Sequence, residues 1–396
     1  MPWDIKDKFA RRKQFVLLSC GHCEINFSGL CRRFGISRNT GYKWRARFLR
    51  FGEPALGDKP RSKTRRSNQT PRDTEAALLA LREKFPTWGP RKLRKKLSLS
   101  SPSNVPSASS VARILKREGL INPSRCAQSK PFIRFAREHP NQLWQMDFKG
   151  DFPMLDGSRC HPLTILDDHS RFLVGLFACD NQKASTVQTH LLTAFTLHGL
   201  PECILCDNGP PWGNTGGGLH SSLGVWLLLL GVRIIHGRPF HPQTQGKDER
   251  FHRTLKADLL SRHDWPNLLL AQQRFNSFRD LYNHDRPHQA LRLDTPSQHY
   301  HISPAPCPKT IAPPEYAPDE ITRTVKAKGE FTFQNRSYYL GEAFRGLLVA
   351  LRATSSPGLL RVCLGSNTLG CIDTLQSSCL QKGRYHKLCP YPPNHS

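Results

Sequence analysis

Between residues 141 and 300 the chain switches repeatedly between apolar runs of strand length and amphipathic runs of helix length. Few folds accommodate that alternation. Residues 143–151, 162–166 and 172–178 read as strands, the last two joined through Asp167-Asp168-His169-Ser170-Arg171. A helix at about 184–198, a short strand at 203–206, a helix at about 219–230 and a strand at 232–236 follow. A long helix from about 246 to 262 completes the stretch. Three meandering strands followed by alternating helices and strands predict a mixed α/β sheet. Gly216-Gly217-Gly218 lacks the strand–turn–helix setting and the Lys-Ser/Thr ending of a phosphate loop.

The flanks differ in charge. Residues 1–140 hold 32 basic and 10 acidic side chains, residues 141–300 hold 15 of each, and residues 301–396 hold 11 and 6. The net +27 therefore sits mainly in the N-terminal third, where a polyanion would dock. The N-terminus has no apolar stretch of signal-peptide length, and the longest apolar run, 225–230, is too short to span a bilayer. A cytoplasmic, nucleoid-associated location is expected. The 13 cysteines are scattered and read as free thiols. Cys20/Cys23 and Cys203/Cys206 have CxxC spacing without the second ligand pair that zinc needs.

The basic third contains folded patterns. Phe27, Leu30, Cys31 and Phe34 recur at helical spacing, Gly35 breaks the helix, and Ser37 can cap a second, basic helix from Arg38. Helix, glycine turn and capped basic helix make a helix-turn-helix, with Arg38, Asn39, Lys43 and Arg45 as candidate DNA contacts. A basic surface helix of an unrelated bundle is the blander reading. Apolar periodicity returns at 73–85, 88–93 and 110–116, as in a second such module. The expected order is a helix-turn-helix domain (1–53), a basic linker (54–72), a second helix-turn-helix-like domain (73–123), a linker (124–140) and the α/β domain (141–300). A Pro-rich linker (301–319), a small β-barrel (320–375) and a tail of little order (376–396) follow.

Three carboxylates stand out in the α/β domain. On the strand Leu143-Trp144-Gln145-Met146-Asp147-Phe148, alternation puts Trp144, Met146 and Phe148 on one face and Gln145 and Asp147 on the other. Asp207 follows Ile204-Leu205-Cys206 at a strand's C-terminal end, the usual place for ligand groups in such sheets. Glu249 opens a helix whose apolar stripe is Phe251, Leu255 and Leu259. It lies with Arg253 and Lys256 on a neighbouring polar face, where Lys247 and Arg250 add cations beside a DNA backbone. Most single acids are merely exposed, but converging carboxylates hold hard divalent cations for phosphoryl transfer. Asp167 and Asp168 read as turn residues. Asp248 points about 100° from Glu249, and His241 fits a substrate contact or a turn.

The run Arg238-Pro239-Phe240-His241-Pro242-Gln243-Thr244-Gln245-Gly246-Lys247-Asp248-Glu249-Arg250-Phe251-His252-Arg253-Thr254-Leu255-Lys256 resembles the glutamate motif of bacterial insertion-sequence transposases with a retroviral-integrase-like core. Trp144-Gln145-Met146-Asp147, Leu166-Asp167-Asp168-His169-Ser170-Arg171 and Cys206-Asp207-Asn208-Gly209 resemble its other signatures. The resemblance implies an RNase H-like core, a mixed five-stranded sheet flanked by helices, and an Asp-Asp-Glu triad at Asp147, Asp207 and Glu249. The 42 residues from Asp207 to Glu249 exceed the common spacing, with the extra length in the loop at 210–218. The resemblance further implies two Mg²⁺ or Mn²⁺ ions per site, DNA cleavage and strand transfer, binding to element ends and target DNA, and at least a dimer on DNA. A non-enzymatic DNA-binding regulator, an inactive derivative and a nuclease that cuts without joining are the competing readings.

Overall fold

The computed structural model describes residues 7–21, 26–58, 70–102, 105–121, 136–213, 220–236, 246–375 and 386–389. The chain divides into two compact units, Met1–Thr70 and Pro71–Ser396.

The first unit is helical: α1 (Lys8–Cys20), α2 (Phe27–Arg33) and α3 (Arg38–Phe51). They enclose Phe15, Val16, Leu30, Cys31, Phe34, Ile36 and Trp44. Gly35 takes φ 65° in the α2–α3 turn, a conformation glycine adopts without strain. The Ser37 hydroxyl then accepts from the Thr40 amide at 3.2 Å and caps α3. α2 and α3 approach so closely at Gly41 that an added Cβ would meet the Cys31 Sγ at 2.7 Å. Arg12 is buried, donates to the Leu56 carbonyl and lies over the Trp44 ring. The expected helix, turn and capped second helix are all present.

The second unit begins with α4 (Arg72–Lys84), α5 (Pro90–Ser100) and α6 (Ala108–Arg117), packed on Leu78, Phe85, Trp88, Leu93, Val111, Ile114 and Leu115. α5 lies against the α/β domain. Lys95 pairs with Asp294 at 3.3 Å, Lys96 pairs with Asp285, and the Arg286 guanidinium sits 5.9 Å from the Trp88 ring centre.

The α/β sheet consists of β1 (Trp144–Phe148), β2 (Phe152–Pro153), β3 (Arg159–Asp167), β4 (Leu173–Cys179), β5 (Cys203–Cys206) and β6 (Arg233–His236). β4 pairs β3 and β3 pairs β1 antiparallel, whereas β1–β5 and β5–β6 are parallel. This is the expected mixed five-stranded sheet, plus the two-residue β2 on β3. One face packs on α7 (Ala184–His198) and α8 (Ser222–Leu229) through Trp144, Met146, Ile165 and Val174. The other packs on α9 (Gly246–Asp258) and α10 (Leu268–Asp280) through Leu166, Leu173, Leu176, Phe251, Leu255 and Phe275. The helix expected over 246–262 ends at Asp258 and gives way to a short 3₁₀ turn, Leu260–Arg262. α10 was not anticipated, although Asn267 caps it and Ala271, Phe275 and Phe278 repeat at helical spacing.

The C-terminal strands are β7 (Ile321–Thr324), β8 (Glu330–Phe333), β9 (Arg336–Tyr339), β10 (Leu348–Ala353), β11 (Leu359–Leu364), β12 (Asn367–Asp373) and β13 (His386–Lys387). They form a four-stranded sheet, β12-β11-β10-β7, and a three-stranded one, β13-β9-β8, around one core. Among the described residues no single closed sheet is formed, so these strands are two sheets where a barrel was expected. α8 is apolar nearly all round because it is covered twice. Leu223 and Leu227 face the α/β core, while Val225 and Leu228 enter the C-terminal core. No described helix is long and apolar enough to cross a membrane.

Candidate active site

Strand register brings the first two carboxylates together. β1 pairs β5 with Trp144 opposite Ile204 and Gln145 opposite Leu205. Two residues further along that register, Asp207 falls beside Asp147. Trp144 and Met146 are buried on the α7–α8 face, so alternation turns Asp147 to the opposite face, toward α9. Burial first, and then the charge of Asp207, push the Asp147 carboxyl up to about 6. Asp207 itself is exposed, and its Oδ1 accepts from the Gly209 amide at 3.1 Å.

α9 supplies the third element. Phe251, Leu255 and Leu259 are buried as the expected stripe, and Glu249, Arg250, Arg253 and Lys256 are exposed. Asp248 is only 2 % exposed, and its Oδ1 has no hydrogen-bond partner among the described residues. Burial, then Asp147 and Asp168, push its carboxyl well above the usual carboxylate range. His252, buried beside the same stripe, places Nδ1 3.8 Å from Asp147 Oδ2 and Nε2 2.9 Å from Thr164 Oγ1. Burial pushes the His252 imidazole down to about 4. Glu249 precedes His252 by three positions, about one helical turn, so it opens the turn next to the Asp147 contact. Among the described residues, no three His, Cys, Asp or Glu side chains are gathered closely enough to hold a metal ion. Asp147 and Asp207 form a pair, and Glu249 stands exposed on the adjoining helix. The segment leading into α9, with His241, lies outside the described residues.

The β3–β4 turn anchors α9. Asp167 accepts from the Ser170 amide and hydroxyl and from the Asn141 amide. Asp168 accepts from the Arg137 amide, from Gln145 Nε2 at 2.7 Å and from the Lys247 ammonium. Both acids are therefore turn and network residues, as their sequence context implied. Lys247 is committed inward to Asp168 instead of standing free beside Arg250. Burial, opposed by Asp168, holds its amine down at about 8. Polar residues at core-facing positions 248 and 252 were the available signal for the buried network.

Arg38, Asn39 and Lys43 are exposed on α3, while Arg45 is half-buried with its guanidinium 5.8 Å from the Phe27 ring centre. Cys203 and Cys206 are both buried, and strand alternation sends them into different clusters, so they do not form a chelating pair. Cys23, of the other CxxC pair, lies outside the described residues.

The resemblance to insertion-sequence transposases is borne out by comparison with known proteins. Residues 137–242 and 230–296 match models of the integrase core domain. Residues 320–379 match the C-terminal domain of IS481 family transposases. Residues 6–57 and 40–115 match homeodomain-like domains. The insertion element IS407 uncharacterized 31.7 kDa protein of Burkholderia multivorans is 26% identical over 159 residues, 40% of this chain and 55% of the relative. The insertion element IS476 uncharacterized 39.2 kDa protein of Xanthomonas euvesicatoria is 26% identical over 163 residues, 41% of this chain and 45% of the relative. The chain thus spans about half the length of these curated relatives. Among solved structures, the HTLV-2 integrase catalytic core domain in complex with magnesium aligns with 41% of this chain and 99% of its own, at 17% identity and a TM-score of 0.32.

Proposed function

We propose that this chain is a DNA transposase of an insertion sequence, a metal-dependent polynucleotidyl transferase that cuts element ends and joins them to target DNA. One observation carries the reading: Asp147 and Asp207 adjoin at the C-terminal ends of two central strands, and the helix bearing Glu249 reaches Asp147 through His252. The donor set fits Mg²⁺ or Mn²⁺, because the three groups are carboxylates and the Asp147–Asp207 pair repels itself until a cation balances it. Asp147, Asp207 and Glu249 would hold such ions, two per site. Bound there, they would supply Lewis acidity to the phosphate and lower the pKa of an attacking hydroxyl.

The chain's own residues have separate tasks in this reading. Asp147 and Asp207 keep fixed negative charge at the strand ends. The exposed cations Arg250, Arg253 and Lys256 hold the DNA backbone beside it, and Lys247 secures the start of α9 to Asp168. Arg38, Asn39, Lys43 and Arg45 on α3 read the element ends. The modules at 1–53, 73–123, 141–300 and 320–375 act as one transposase, and pairing two DNA ends calls for at least a dimer.

The test is end joining with oligonucleotides that carry the element's termini. The wild-type protein is expected to cut and join with Mg²⁺. Asp147→Ala, Asp207→Ala and Glu249→Ala proteins should bind ends but neither cut nor join. Normal strand transfer by the Glu249→Ala protein overturns the triad, and cutting without joining points to a nuclease.

A further inference from the structure

We infer that His252 is a positioning residue for Asp147, fixing where that carboxylate meets a divalent cation. The inference deepens the transposase reading and rests on it. Thr164 lies opposite Asp147 in the β1–β3 ladder and is fully buried. Its hydroxyl donates to the Asp147 carbonyl at 2.9 Å. A hydroxyl has one proton, and that bond uses it. The 2.9 Å contact between Thr164 Oγ1 and His252 Nε2 therefore has the imidazole N–H as donor. This fixes the tautomer, with Nδ1 left as the edge that faces Asp147 Oδ2 at 3.8 Å. That separation exceeds a hydrogen bond, so the ring acts on the carboxylate as a wall and through Thr164 on its backbone.

The consequence is mechanical. β1 carries Asp147, β3 carries Thr164 and α9 carries both His252 and Glu249. One ring ties all three elements at the place where the carboxylates are presented. Without the imidazole N–H, the Thr164 oxygen loses its donor, and the turn of α9 next to Glu249 loses its polar tie to the sheet. A merely structural histidine would lower stability without altering cation uptake.

The test uses the full chain in three forms: wild type, His252→Phe, which keeps a ring without nitrogens, and His252→Gln, which restores an N–H donor near the place of Nε2. Mg²⁺ affinity is read by titration calorimetry without DNA, alongside the Mg²⁺ concentration for half-maximal end cleavage and the affinity for end DNA. His252→Phe is expected to weaken Mg²⁺ binding and raise the half-activation concentration by about tenfold or more. His252→Gln should return both toward wild type, and all three should bind DNA alike. Wild-type Mg²⁺ affinity in His252→Phe, or equal behaviour of the Phe and Gln forms, overturns the inference. Should His252→Phe fail to fold, Thr164→Val against Thr164→Ser decides by the same measurements, with only Val expected to be impaired. A wild-type protein that takes up no Mg²⁺ and joins no ends sinks the transposase reading and this inference together. An active wild type with an unaltered His252→Phe protein sinks the positioning role alone.

Discussion

Asp147 and Asp248 are carboxyl groups the fold holds at a cost. With its folded pKa raised to about 6, Asp147 favours the folded state fully only below its unfolded value near 4. That contribution disappears as pH rises from about 4 through 6. Asp147→Asn should therefore raise the melting temperature at pH 7 and leave it nearly unchanged at pH 4. Cleavage by the wild type should rise over the same pH interval, because a cation binds the ionised carboxylate. Asp248 has no hydrogen-bond partner for Oδ1 among the described residues, so Asp248→Val is expected to stabilise the protein by about 1–3 kcal/mol in urea unfolding at pH 7. An unchanged or lower stability would mean that this carboxyl has a partner in solution.

Two contacts decide where helices begin and cross. Half-buried Lys247 and buried Asp168 hold the first turn of α9 to the β3–β4 turn. Lys247→Ala leaves Asp168 with its Arg137 and Gln145 donors but without its cation, and should cost about 1–3 kcal/mol, measured by chemical unfolding. Asp168→Asn combined with Lys247→Ala should cost less than the sum of the two. At the α2–α3 crossing, Gly41→Ala forces a Cβ against Cys31 Sγ and should lower both the stability of the first unit and end-DNA affinity. The elements themselves were uneven in legibility. The β1 alternation and the Phe251–Leu255–Leu259 stripe were plain in the sequence, because a strand or helix face must repeat to be buried. Asp147 beside Asp207 needed the parallel β1–β5 register, which no local pattern encodes. α10 went unseen beside a more conspicuous helix. The inward turn of Lys247 depends on a partner 79 residues away.

Across the whole chain the positive charge has two uses. Much of it is exposed, on α3 and along α9. Some is spent within the second unit, where Lys95 and Lys96 of α5 meet Asp294 and Asp285. Counting charge along the sequence could not separate the two. Affinity for end DNA should fall steeply with salt, and Arg38→Ala or Lys43→Ala should each reduce the slope of log affinity against log salt by about 1 if it contacts a phosphate. An unchanged slope would place that residue off the backbone. The greasy helix α8 has a different lesson. Its Val225 and Leu228 are seated among the C-terminal strands and its Leu223 and Leu227 under the sheet, so the two share a wall. Stopping translation before Ile321 would not release a working catalytic fragment. It would strip plaster from one side of that partition, and the shortened polypeptide should clump on expression.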